Sequence, residues 1–216
     1  MKTTLKREWP NIIVTALPFI YLAYIWNSLP AIVPLHWNMA GEIDRYGNRS
    51  ELIIIPFILP FLTYLIFLIV PYIDPKRQIE KMGKKYHQLK TIFVFLTSLL
   101  AIYILYATSV SKLGSTKLLF FGIGMLITVL GNYMQSIKPN YFIGIRTPWT
   151  LENNEVWKYT HRLAGKLWVI GGLFISVFTL ILSQGLFTWL FIFIMIVITL
   201  IPLIYSYIKF KEIENT

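Results

Sequence analysis

The sequence predicts an all-α polytopic membrane protein with six transmembrane helices and both termini in the cytoplasm. Its 216 residues are 56% hydrophobic and only 14% charged, whereas a soluble domain carries about a quarter charged residues. Six apolar runs, near 10–29, 52–73, 91–111, 117–137, 164–183 and 186–208, are each long enough to cross a hydrocarbon core of ~30 Å as a helix. The cations are unevenly spread: with the amino terminus inside, sixteen of the 20 Lys and Arg fall on inner segments and only Arg45, Arg49, Lys112 and Lys117 on outer ones. That asymmetry sets the orientation. It also accounts for the net charge of +10, so no direct nucleic-acid partner is expected.

The first run ends in Ser28-Leu-Pro30 with no small-residue cleavage site, so it reads as an uncleaved first span. No linker or composition shift divides the chain. Residues 1–216 are expected to form a single membrane domain, with a two-span unit at 10–73 that carries an outward loop and a second unit at 117–183. There are no cysteines, which excludes disulfides, a thiolate nucleophile and thiolate-ligated metal.

The outward loop, 30–51, is more patterned than a connector. Pro30 and Pro34 make an extended entry, and Gly41 and Gly47 permit turns. His36, Glu42 and Asp44 fall close together beside Asn38. Two readings fit: His36 and Asp44 hydrogen-bond the loop into shape, or the three side chains hold a metal or do acid and base work. Their spacing is not that of a helical zinc motif.

Prolines 56, 60 and 71 bend the second span. The inner loop 74–90 is strongly basic, and its expected partner is anionic lipid. In the fourth span Gly124, Thr128, Gly131 or Asn132, and Gln135 form a small and amide stripe, and in the fifth Gly165, Gly172, Ser176, Thr179 and Ser183 form another. These faces are predicted to meet, with Asn132 and Gln135 bracing the segment that follows. The last two spans are expected to turn at Gln184-Gly185. No Asp, Glu, Lys or Arg is expected inside a span, which argues against an ion-coupled transporter.

Between the fourth and fifth spans lies the segment richest in special residues, Asn140-Tyr-Phe-Ile-Gly-Ile-Arg-Thr-Pro-Trp149. Gly144 and Pro148 predict a shaped loop, with Thr147 extended before the proline. Arg146 offers a planar fork of donors. One reading is a docking or relay surface; the other is a juxtamembrane turn with Trp149, Trp157 and Trp168 in the headgroup belt. A helix should begin near Asn153 or Asn154, with Glu155 in its first turn. It should present Lys158, Arg162 and Lys166 on one face and run into the fifth span. His161 reads as an interfacial polar residue.

Asn140 to Leu151, with Asn154-Glu-Val-Trp-Lys158 and Thr160-His-Arg-Leu-Ala-Gly165, resembles the signature of the Sdp immunity (SdpI) family of bacterial membrane proteins. The run Leu29 to Asp44 resembles the domain of unknown function that commonly precedes it. The resemblance implies a protein of the bacterial cytoplasmic membrane that resists a secreted killing peptide. It implies also that such a protein recruits a small winged-helix repressor to the membrane, and it implies no cofactor or enzyme activity. Carried onto this chain, it makes Asn140, Gly144, Arg146, Thr147, Pro148, Trp149, Trp157, His161 and Arg162 the candidate functional surface. His36, Asn38, Gly41, Glu42 and Asp44 become the outward sensor loop. The alternative of a different class is an outward-facing metal-dependent hydrolase built on His36, Glu42 and Asp44.

Overall fold

In a computed structural model of the chain, residues 5–38, 40–111 and 116–215 are described. Lys2, Met39 and Lys112 lie outside the described residues. Six helical runs are long and apolar enough to span a membrane: Arg7–Ser28, Arg49–Ile73, Lys84–Ser109, Thr116–Met134, Asn154–Ile181 and Gln184–Glu214. The protein is an all-α, multi-pass membrane protein. In order, the elements are helix α1 (Leu5–Ile25), strands β1 (Ile32–Trp37) and β2 (Ile43–Asn48), and helices α2 (Ile54–Pro56), α3 (Leu62–Ile73), α4 (Gln78–Lys81), α5 (Lys84–Ser109), α6 (Thr116–Met134), α7 (Pro148–Glu152), α8 (Asn154–Ile181) and α9 (Gln184–Glu214). They form two compact units, residues 1–73 with 83–116 and residues 74–82 with 117–216.

In the first unit α1 packs along α5. Buried positions on α1 recur at Glu8, Asn11, Thr15, Pro18, Leu22 and Ile25, and on α5 at Lys90, Val94, Ser98, Ala101, Leu105 and Thr108. These alternating steps of three and four give a narrow seam. Its far end is apolar, where Leu22, Ile25, Leu29, Val33, Leu52 and Leu105 form the core. Its near end is charged: Lys90 Nζ lies 2.6 Å from Glu8 Oε1, and both residues are at least 95% buried. The expectation of charge-free spans is therefore wrong. Both helices start earlier than hydropathy suggests, so Glu8 and Lys90 fall inside them. Lys90 is accordingly no lipid-facing loop cation.

The second span bends as its prolines require. Pro60 sits in a π turn, Phe57–Phe61, between α2 and α3, and a helix that loses an N–H at proline can widen its turn in this way. Pro71 cannot donate to the carbonyl four residues back, Phe67, and Tyr86 Oη donates to that oxygen at 2.8 Å. The same device recurs in the second unit. Pro202 frees the carbonyl of Ile198, and Trp168 Nε1 donates to it at 3.0 Å. In each case an aromatic donor from a neighbouring helix satisfies a group that hydrocarbon would leave unpaired.

In the second unit the small-residue faces of α6 and α8 meet, as the sequence predicts. A Cβ added at Gly124 would lie 2.6 Å from Gly172 O, and one at Gly172 would lie 2.5 Å from both Gly124 O and Thr128 Oγ1; Gly131 abuts Val169 N and Gly165 O. Ser176 Oγ donates across to Phe121 O at 3.2 Å. The core beneath is Phe120, Ile127, Ile175, Phe187, Ile194 and Ile198. The turn between the last two spans falls at Leu182-Ser183; Gln184 and Gly185 already belong to α9. Asn132 and Gln135 are exposed and do not supply the expected brace.

Candidate functional site

The segment from Ser136 to Asn153 is closed by its own buried side chains and by two from α8. Asn140, 1% exposed, uses its whole amide: Nδ2 donates to Lys138 O at 2.7 Å and Ile143 O at 3.0 Å, and Oδ1 accepts from Phe142 N at 2.8 Å and Ile143 N at 2.7 Å. One side chain thus satisfies most of a turn that has no helix or sheet to do so. Gly144 follows at φ +112°, and a Cβ there would collide with His161 Nε2 and lie 3.2 Å from the Trp157 ring. Only glycine fits.

His161 is buried, not interfacial. Its Nε2 accepts from Ile145 N at 3.0 Å and its Nδ1 lies 2.9 Å from Trp157 O. An amide N–H can only donate and a carbonyl can only accept, so the ring is the neutral tautomer with its proton on Nδ1. It stacks on Trp157 at 4.0 Å between centroids. Trp157 is also buried, and its Nε1 donates to Ile137 O at 2.8 Å. Trp149 packs on Tyr207. The three tryptophans are thus packing and hydrogen-bonding groups.

Thr147 is extended, at φ −91° and ψ 160°, as the residue before proline should be. It caps α7 with Pro148 at the first helical position, in a reciprocal pair with Thr150. Thr150 Oγ1 donates to Ile145 O at 2.8 Å, and Thr147 Oγ1 lies 3.0 Å from Ser206 Oγ on α9. Asn153 then caps α8, its side chain accepting from Glu155 N and Val156 N. Of the nine candidate residues, Asn140, Thr147, Trp157 and His161 are buried, Gly144 and Trp149 are partly buried, and Arg146, Pro148 and Arg162 are exposed.

What faces outward is cationic and aromatic. Arg146 donates to Tyr141 O at 2.7 Å and leaves other guanidinium donors on an exposed side chain. Tyr141 is 42% exposed. Lys76, which the sequence did not single out for this site, donates to Leu151 O at 3.4 Å and lies 5.0 Å over the Tyr141 ring. Its strand of chain is fixed by Asp74, whose carboxylate accepts from Ile79 N at 3.0 Å. Lys158, Arg162 and Lys166 are exposed on α8. Such a face suits an anionic or acidic partner. The only hint of Lys76 was its place in a basic loop.

The first inter-span loop is an antiparallel hairpin, β1 against β2, with a register shift around Leu35. His36 Nδ1 lies 2.6 Å from Asp44 Oδ1 across the strands. Glu42 is turned elsewhere, accepting from Asn38 Nδ2 at 3.0 Å. Asn38 Oδ1 accepts from Ala40 N and Glu42 N, and Gly41 takes φ +83° in the turn. The five residues therefore shape the hairpin. Gly47 is not a turn residue: it sits in β2, where Leu35 and Glu51 occupy the space of a Cβ. Among the described residues no group of three or more His, Cys, Asp or Glu is placed to hold a metal ion. The hairpin base is tied down by Arg49, which donates to Trp26 O and Leu29 O. Thr108 Oγ1 on α5 donates to Pro34 O at 3.2 Å.

Known proteins resemble both regions. The model of the SdpI/YfhL protein family matches residues 136–206, and that of a domain of unknown function, DUF1648, matches residues 13–59. The chain is 25% identical over 202 residues to the immunity protein SdpI of Bacillus subtilis, covering 94% of this chain and 93% of that protein. It is also 37% identical over 59 residues to an uncharacterized protein of Archaeoglobus fulgidus, covering 27% of this chain and 32% of that one. No solved structure matches. The segment that closes on Asn140, Gly144 and His161 and runs on into α9 is thus the part of the chain that resembles the SdpI/YfhL protein family.

Proposed function

We propose that the protein is a membrane immunity protein that makes its host resistant to a secreted killing peptide, and that it acts without catalysis. The observation that carries this is the end-to-end likeness to an immunity protein, over 94% of this chain. The geometry supports it. The family segment spends its buried polar groups on holding its own shape, and its exposed groups, Arg146, Tyr141 and Arg162, form a binding face with Lys76 from the 74–90 loop.

In this reading both termini are cytoplasmic, as the cation distribution favours. Counting spans then puts the Asn140–Trp149 segment in the cytoplasm and the His36–Asp44 hairpin outside, on the side from which a peptide arrives. The hairpin is the sensor. The basic face docks anionic lipid and a small winged-helix repressor. Expression in a peptide-sensitive strain tests the function: survival should rise with the amount of protein in the membrane. Unchanged killing at normal membrane levels would contradict it.

A further inference from the structure

Tyr141 gathers two cations from different stretches of the chain. Arg146 Nη1 donates to its carbonyl at 2.7 Å, and Lys76 Nζ stands 5.0 Å from the centre of its ring. Buried groups aim both. Lys76 sits in a turn built on Asp74, 2% exposed, whose carboxylate accepts from Lys76 N at 3.3 Å and Ile79 N at 3.0 Å and whose carbonyl accepts from Arg77 N at 3.0 Å. Arg77 completes the turn at φ +47°, a conformation that costs a non-glycine residue free energy. Arg146 follows the bend that Asn140 and Gly144 fix. Among the described residues neither cation forms an ion pair. Asp74 is committed to its own turn, and Glu152, beside Leu151, is exposed and bonded to neither. Two like charges brought to one residue without a counter-ion attract an anion.

The place of the three groups says which anion. Lys76 stands just past Ile73, the end of the second span, and Tyr141 and Arg146 follow Met134, the end of the fourth. Even-numbered spans end on one side of a membrane, so the groups stand at headgroup depth. We infer that Lys76, Tyr141 and Arg146 form a seat for the phosphodiester of one net-anionic lipid. This rests on the reading of the segment as a binding face at the membrane surface, and it names what one end of that face holds. The guanidinium donors that Tyr141 O leaves free take one unesterified oxygen of the phosphate, and the Lys76 ammonium takes the other. The Tyr141 ring steers the ammonium, and its phenol is a further donor. A zwitterionic lipid fits worse, because its own ammonium group would stand beside two cations. A soluble phosphate offers the same oxygens without the acyl chains that keep the group at this depth.

The full chain in detergent, titrated with phosphatidylglycerol or phosphatidylcholine and read by native mass spectrometry, tests this without peptide or host cells. A failure here therefore leaves immunity standing, and a failed killing assay leaves the lipid seat standing. Phosphatidylglycerol should bind about thirtyfold more tightly than phosphatidylcholine, the factor that two surface cations are worth against an anionic lipid. Lys76→Gln and Arg146→Gln should each weaken phosphatidylglycerol by about fivefold, and the two together should erase the preference. Glutamine at 146 keeps an amide donor for Tyr141 O and removes the charge; should that variant not fold, Lys76→Gln carries the test. Lys138→Gln, which removes an exposed cation of the same loop, should change binding by less than about twofold if the seat is local. Equal binding of the two lipids would overturn the proposal, as would a loss in Lys138→Gln equal to that in Lys76→Gln, which would mean diffuse attraction to basic surface. Displacement of the lipid by excess glycerol 1-phosphate would assign the seat to a soluble phosphate and overturn the lipid.

Discussion

His161 Nε2 accepts the backbone N–H of Ile145 at 3.0 Å, and this bond joins α8 to a loop sixteen residues earlier in the chain. Gly144 makes it possible, because a Cβ at that position would stand where the imidazole is. The family segment is therefore held by a contact between a positive-φ glycine and a neutral, fully buried histidine. The shape of this segment thus rests on its buried groups rather than on its exposed ones.

Removing the acceptor should cost stability even where the ring is kept. His161→Phe preserves stacking on Trp157 but leaves the Ile145 N–H unpaired, a loss of about 1–3 kcal/mol. Gly144→Ala should cost at least as much, through both the collision and the φ of +112°. Arg162→Ala, on the exposed face, should stay within about 0.5 kcal/mol. Thermal unfolding in detergent checks all three.

The α6–α8 contact predicts a sharp contrast between glycines. At Gly172 a Cβ would meet Gly124 O at 2.5 Å, whereas nothing lies within 4 Å of one at Gly122. Gly172→Val should separate the helices and lower the yield of folded protein. Gly122→Ala should be neutral or stabilising by about 0.5–1 kcal/mol, from helix propensity alone. Equal effects at the two sites would refute the packing.

The carbonyls freed by proline give a double-variant test. Tyr86→Phe strands Phe67 O and should cost about 1–2 kcal/mol. Pro71→Ala returns an N–H to that same oxygen, so Tyr86→Phe should cost less in its presence, with a coupling of about 0.5–1 kcal/mol. The unfolding free energies of the two single variants and the double close the cycle.

The buried ion pair should behave non-additively as well. Glu8→Gln or Lys90→Met alone leaves one charge uncompensated and should destabilise by about 3–5 kcal/mol. Together they should cost clearly less than either alone. Denaturant unfolding of the three variants measures this, and additive losses would mean that the pair is not the unit the geometry describes.

Much of this was legible in the residues, and the failures have physical causes. Hydropathy located six spans because a membrane demands about 20 apolar residues whatever their packing. The stripe of Gly124, Gly131, Gly165 and Gly172 was readable because helical spacing places small residues on one face. Asn153 as a cap, and Thr147 extended before Pro148, followed from local backbone rules. The Glu8–Lys90 pair was missed because hydropathy stops a span at its first charge, while the helix itself continues and buries that charge against a residue 82 positions away. The hairpin is hidden in the sequence because the proline at position 34 and the glycine at 47 look like strand breakers. Pro34 lies in β1, and its carbonyl is taken by Thr108 from α5. Asn132 is exposed while Gly131 is buried, a distinction that the sequence stripe leaves open because the two are neighbours about 100° apart on a helix. The inward turn of Trp157 and His161 depends on Gly144, a contact that no local pattern encodes.

The central claim is immunity, with the basic face of the family segment as its working surface. Peptide dose–response killing of a sensitive strain tests it most directly, comparing cells with no protein, the full chain and Arg146→Ala at matched membrane levels. The account predicts that the full chain moves the killing curve to higher peptide concentration and that Arg146→Ala, folded and inserted, gives up much of that shift. A curve that coincides with that of cells lacking the protein would contradict immunity. Full protection by Arg146→Ala would remove this face from the mechanism.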